Sequence, residues 1–200
     1  MRSILIILLF IYSGATVAQE RKGADLYYYP GNGAILPSLS SRVFYQGSSN
    51  WYGEVRYNYE EEGTLACAVG RTFSKEGTWS YAITPVAGLS GGRLQGASFG
   101  FNSSLSYNTF SFSSSMQYGL CPGQQKNNLF SWSELNCQMS NHFYAGVTMQ
   151  QWSSFRLDPT WEPGMQMGLC LGNWTIPLYV FHPSSNQRYF VLGVCREWKR

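Results

Sequence analysis

From Trp51 onward the chain alternates. Trp51, Gly53, Val55, Tyr57 and Tyr59 fall on one side of an extended backbone, and Glu54, Arg56, Asn58 and Glu60 fall on the other. After an acidic link the alternation resumes, with Leu65, Cys67 and Val69 set against Ala66, Ala68, Gly70 and Thr72. A period of two means strands with two chemically different faces. The same pattern predicts ten strands, near 51–60, 64–74, 78–89, 94–106, 109–120, 129–138, 142–152, 164–172, 174–182 and 188–198. Helical periodicity is not evident. Residues 19–50, with "PGNG" and "PSLSS", carry turn residues too closely spaced for long strands and read as an irregular segment, with a short hairpin around "PGNG" left open.

The links carry as much information as the strands. From the third onward longer and shorter ones alternate: "SGGR", "YN", "CPGQQKNN", "SN", "SSFRLDPTWEP", "GN" and "PSSNQ". Two-residue links such as Gly172-Asn173 are tight hairpins. Long links at one end and short ones at the other describe an up-and-down barrel, with both termini on the short-turn side. That arrangement places the loops around Lys126 and Asp158 outside the cell, and Ser140-Asn141 and Gly172-Asn173 in the periplasm.

Large apolar side chains share one face. Trp79, Tyr81, Ile83, Ala87 and Leu89 oppose Ser80, Ala82, Thr84 and Gly88; Phe110, Phe112, Met116 and Tyr118 oppose Ser111, Ser113, Ser115 and Gln117. Phe143, Ala145, Val147 and Met149 behave alike, as do Trp174, Ile176, Leu178 and Val180. In a soluble barrel the large residues would point inward and the outer face would carry charge. Here the second face is small and polar, so the apolar face looks outward into lipid. Glu54, Arg56, Arg71, Glu134, Gln166 and Glu197 are then the polar residues of the lumen, a charge-paired filling with, at most, a narrow path. Trp51, Trp79, Tyr107, Phe143, Trp174 and Trp198 are placed to form two interfacial girdles. Three features strain the pattern: Pro85 and Pro177 fall mid-strand, where bulges are expected to absorb them, and Phe130 and Trp132 break the parity of Leu135.

Composition agrees. Charged residues are 12% and aromatics 16% of the 200 residues, a poor mix for a soluble surface and a suitable one for a barrel in lipid. The net charge of +3 is too small and scattered for a nucleic-acid partner. The opening "MRSILIILLFIYSGATVAQ" has one Arg, a short apolar run and then small residues up to Ala18, which is the layout of a cleavable export signal. The domains are therefore a signal peptide at 1–18, an irregular periplasmic segment at 19–50 and a barrel at 51–200. Cys67, Cys121, Cys137, Cys170 and Cys195 are odd in number, leave their pairing open, and show no metal-ligand spacing.

On the signal, the two-residue repeats and the last strand "RYFVLGVCREWKR", the chain resembles small outer-membrane β-barrel proteins of Gram-negative bacteria, with a look close to those of Bacteroidota. In that strand Phe190, Leu192, Val194 and Trp198 alternate as in the strand read by the barrel-assembly machinery, although Arg196 shares their face and Lys199-Arg200 replaces a terminal aromatic. The resemblance implies residence in the bacterial outer membrane, outer-membrane lipid and the assembly machinery as partners, and a further outer-membrane or periplasmic protein as an open one. No cofactor or metal is expected.

Two His and two Asp leave little for catalysis; Asp158 and His182, both on long links, are weak candidates for a rim site. The expected function is a non-enzymatic scaffold, binding protein or very narrow channel. The alternatives are a secreted soluble all-β carbohydrate-binding protein and a barrel enzyme.

Overall fold

The computed structural model describes residues 20–31, 37–122, 127–154 and 158–199; the export signal and Lys126 lie outside them. The strands are β1 (Arg21–Tyr29), β2 (Ser38–Gln46), β3 (Trp51–Tyr57), β4 (Thr64–Arg71), β5 (Phe73–Lys75), β6 (Trp79–Gly92) and β7 (Gly96–Tyr107). They continue as β8 (Phe110–Leu120), β9 (Asn128–Ser140), β10 (Phe143–Ser154), β11 (Thr160–Leu171), β12 (Trp174–Phe181) and β13 (Tyr189–Lys199). Each pairs antiparallel with its sequence neighbour, β4 and β5 both lie along β6, and β1 pairs with β13. β4 and β5 together make one stave. The result is a closed up-and-down barrel of twelve staves.

Two staves exceed the ten expected, and both come from the segment read as irregular. β1 and β2 pair without interruption from Arg21↔Gln46 to Tyr29↔Ser38. Their alternation is hidden because both faces carry aromatic or polar residues: Leu39, Val43 and Tyr45 point out, while Ser40, Arg42, Phe44 and Gln46 point in.

The prolines are absorbed without bulges. β4 and β5 hold one register against β6, since Gly70↔Val86 and Phe73↔Ile83 follow the same offset. Opposite Pro85, which has no N–H to give, the ladder lapses, and Thr72 N–H turns to the Asn50 carbonyl at 2.9 Å. At Pro177 the β12–β13 ladder likewise lapses between Thr175↔Cys195 and Leu178↔Leu192, and the ring packs over Gly193. A Cβ at Gly193 would stand 2.5 Å from the Pro177 ring, so glycine is what admits it.

Pairing also settles β9. Phe130, Trp132, Glu134 and Asn136 oppose Gln117, Ser115, Ser113 and Ser111, so all four point inward in a regular strand. The mixed parity needs no bulge there; the inner face simply carries large aromatics. A register shift occurs farther along, at Phe143/Tyr144.

The outer face is a continuous apolar belt that includes Val43, Val69, Leu89, Val147 and Met165, each more than half exposed. Such a belt needs an apolar medium, and one closed sheet with its large side chains outside argues against the soluble all-β alternative. The girdle residues Trp51, Trp79, Tyr107, Phe143, Trp174 and Trp198 all fall at one end, beside the short turns 47–50, 76–78, 108–109, 141–142 and 172–173. They form one girdle where two were expected. Trp79 stacks on Tyr107 at 4.1 Å, and Arg196, anomalous in sequence, lies between Trp174 and Trp198 at 4.6 and 4.5 Å from their ring centroids.

Candidate functional site

The interior has two unlike walls. β4, β6, β7 and β8 present Ala66, Ala68, Gly70, Gly88, Ser98, Gly100, Ser104 and Ser113. These side chains are too small to fill a twelve-stave cylinder at native density, so the opposite wall must reach across. It does so with charge and with rings.

Arg56 on β3 spans the bore. Its Nη2 lies 2.8 Å from Glu54 Oε1, charge against charge without a hydrogen-bond angle, and donates to Ser115 Oγ at 3.0 Å and Asn102 Oδ1 at 3.3 Å on the far wall. Its Nη1 donates to Glu60 Oε1 at 3.0 Å. Tyr52 donates to Glu54 Oε2 at 2.7 Å, and Arg42 donates from Nε to Asp25 Oδ2 at 2.8 Å. Arg56 is 1% exposed, so its charge is sustained by these partners and not by water.

Next to this network sits an aromatic layer of Tyr27, Phe130, Trp132, Tyr179 and Phe181, with Tyr59 and Tyr189 packed against it. Trp132 is the hub, with ring centroids 5.7 Å from Tyr27, 5.2 Å from Tyr179 and 5.7 Å from Phe181. Tyr59 enters from the 58–63 link, and the Arg56 guanidinium lies 4.7 Å over its ring. Sequence reasoning missed this layer because it assigned the large apolar faces of the strands outward; the parity break at Phe130 and Trp132 was the available signal.

A cavity of about 330 Å³ runs from the short-turn end, where Arg21, Gln46, Thr72 and Thr175 line it, to Tyr27, Tyr59, Trp132 and Tyr179. Beyond that layer, a space of about 20 Å³ remains beside Glu60, Asn128 and Phe130. Among the described residues, the larger space thus reaches the short-turn end, and packed rings separate it from the small space on the long-link side.

Of the lumen residues expected, Glu54, Arg56, Glu134 and Gln166 lie on the inner wall, and Glu197 pairs with Arg21 at 2.8 Å. Arg71 does not: it shares parity with Leu65 and Val69 and pairs with Trp51 on the outer face. Glu134 accepts hydrogen bonds from Trp132 Nε1 at 2.8 Å and Tyr179 Oη at 2.9 Å and has no cationic partner among the described residues. Gln166 is 4% exposed, and neither end of its amide finds a partner among the described residues.

Asp158 and His182 both belong to the long-link end but share no hydrogen bond or ion pair among the described residues. His182 instead holds a left-handed turn at φ 48°, its N–H donating to the Pro163 carbonyl at 2.8 Å. No group of three His, Cys, Asp or Glu able to hold a metal occurs among the described residues. All five cysteines are unbridged.

No protein-family model and no curated protein sequence matches the chain. Solved structures do match its fold. A chain from work on the in-meso crystallisation of membrane proteins aligns at TM-score 0.61 and 9% identity, over 91% of this chain and 84% of that one. The NanC porin aligns at 0.56 and 10% identity, over 92% of this chain and all of that one. The KdgM porin, solved with disordered oligogalacturonate, aligns at 0.53 and 9% identity, over 90% and 98%. At such identities the likeness is one of fold: that of the outer-membrane porin barrel.

Proposed function

We propose that the protein is an integral outer-membrane barrel that acts as a narrow, largely occluded channel favouring small cations. The cavity entering from the short-turn end and stopping at the Tyr27–Tyr59–Trp132 layer carries this reading. A purely structural barrel has no need of a polar bore reaching mid-depth. A wide solute pore would not cross its bore with Arg56 and a layer of packed rings.

The charges of the inner wall set the preference. Among the described side chains, Asp25, Glu54, Glu60, Glu134, Glu162 and Glu197 outnumber Arg21, Arg42 and Arg56, and a low-dielectric bore focuses that excess. The belt and girdle suit an outer-membrane bilayer, with the short turns periplasmic and the long links outside. β13, exposing Phe190, Leu192 and Val194 outward, is the strand we assign to the assembly machinery. We assign no catalysis.

Planar-bilayer recording tests the reading. The purified barrel should show small, cation-favouring conductance, and removing rings with Tyr59→Ala and Trp132→Ala should raise it several-fold. No conductance in either protein would overturn the channel and leave a binding or scaffold barrel.

A further inference from the structure

We infer that the blind end of the cavity is a binding site for a small organic cation, a primary or quaternary ammonium, seated on the Glu134 carboxylate. This goes beyond the channel reading and does not rest on it, because a closed barrel would bind equally well.

Every other charged group lining this space is already answered. Arg42 is held by Asp25 and Arg21 by Glu197; Arg56, which lies behind the lining residues Asn102 and Ser115, is held by Glu54 and Glu60. Glu134 alone meets the cavity with a carboxylate opposed by no cation among the described residues. Its donors fix its orientation. Trp132 Nε1 and Tyr179 Oη converge on Oε1, at 2.8 and 2.9 Å, and Oε2 has one long contact, 3.5 Å to Asn136 Nδ2. Oε2 is therefore the acceptor left for a ligand.

The surrounding rings determine what kind of ligand. Tyr27, Trp132, Tyr144 and Tyr179 line the same space. A carboxylate among aromatic faces attracts a cation with apolar bulk, through charge and ring quadrupoles together. A divalent metal would want several oxygens, and the described residues supply no such cluster. An anion would face Glu134 with no free guanidinium to oppose it. The rings are seated in advance: Tyr144 lies across Gly168, where a Cβ would collide with it. At about 330 Å³ the cavity is at the small end of the roughly 300–1,000 Å³ typical of ligand sites, which restricts the occupant to a small molecule.

Isothermal titration of the purified full-length barrel in detergent, at constant ionic strength, compares choline with its uncharged isostere 3,3-dimethylbutan-1-ol. Choline should bind saturably, and at least tenfold more tightly than the isostere. Glu134→Gln, with folding checked by heat-shifted gel mobility, should abolish that tenfold difference. Equal binding of the two probes would show an aromatic slot for neutral ligands and overturn the inference. So would unchanged choline binding in Glu134→Gln, or no choline binding at all. The two-probe comparison on the unaltered protein decides the matter even where the variant fails to fold.

Discussion

Tyr144 lies flat across Gly168 on the neighbouring strand, in the space that any side chain there would take. The relationship recurs inside the barrel. A Cβ at Gly23 would stand 2.5 Å from the Phe44 ring, and one at Gly164 would stand 3.0 Å from Phe181. Glycine on one strand is the seat for a ring from another, which lets large aromatics pack along a curved wall. Gly168→Val should displace Tyr144 and cost about 1–3 kcal/mol by overpacking. Gly53 has nothing within 4 Å of its Cβ position, and Gly53→Ala should shift stability by no more than about 0.5 kcal/mol. Denaturant unfolding in micelles compares the two.

Arg56 is the second site to probe. Arg56→Met leaves Glu54 and Glu60 buried without a countercharge, and should destabilise the barrel by about 3–5 kcal/mol. Adding Glu54→Gln and Glu60→Gln should recover most of that loss. Equal stability of the single and triple variants, by unfolding midpoint, would show that the network does not hold the bore.

The two faces differ in what they tolerate. Val147 is about half exposed on the outer belt, while Thr148 beside it is 4% exposed inside. Val147→Arg should cost about 2–4 kcal/mol if that position sits near the bilayer midplane. Thr148→Ser should change stability by under about 1 kcal/mol, because it keeps the hydroxyl that donates to the Ser133 carbonyl at 3.2 Å. Unfolding in lipid vesicles measures both.

Orientation has a cellular test. A protease site inserted beside Asp158 should be cut on intact cells, and one inserted at Gly172-Asn173 should be cut only after the outer membrane is breached. The reverse result would invert the barrel.

The sequence revealed most of the wall and little of the filling. Strands whose faces differ sharply, such as β8 with Phe110 and Phe112 against Ser111 and Ser113, announce both existence and direction. β1 and β2 do not, because inward Tyr27 and Phe44 match outward Tyr28 and Tyr45 in size. The same physics concealed the site. In a barrel this wide the lumen also takes large rings, so hydrophobicity no longer distinguishes inside from outside, and only pairing does. Phe130 and Trp132 register against Gln117 and Ser115, a long-range fact that no local pattern contains.

The β1–β13 seam, which joins Arg21 to Lys199 and Tyr28 to Leu192, has a consequence for how the molecule is made. It unites the earliest strand of the wall with the last. Until β13 has been delivered, the growing sheet carries two raw borders of unpaired amides and carbonyls, each able to recruit a stranger. Partial chains gain nothing from waiting, since no subset of staves can seal itself. Maturation of this protein is accordingly a race between custody of the unfinished polypeptide and its capture by the wrong neighbour, decided when the final strand arrives.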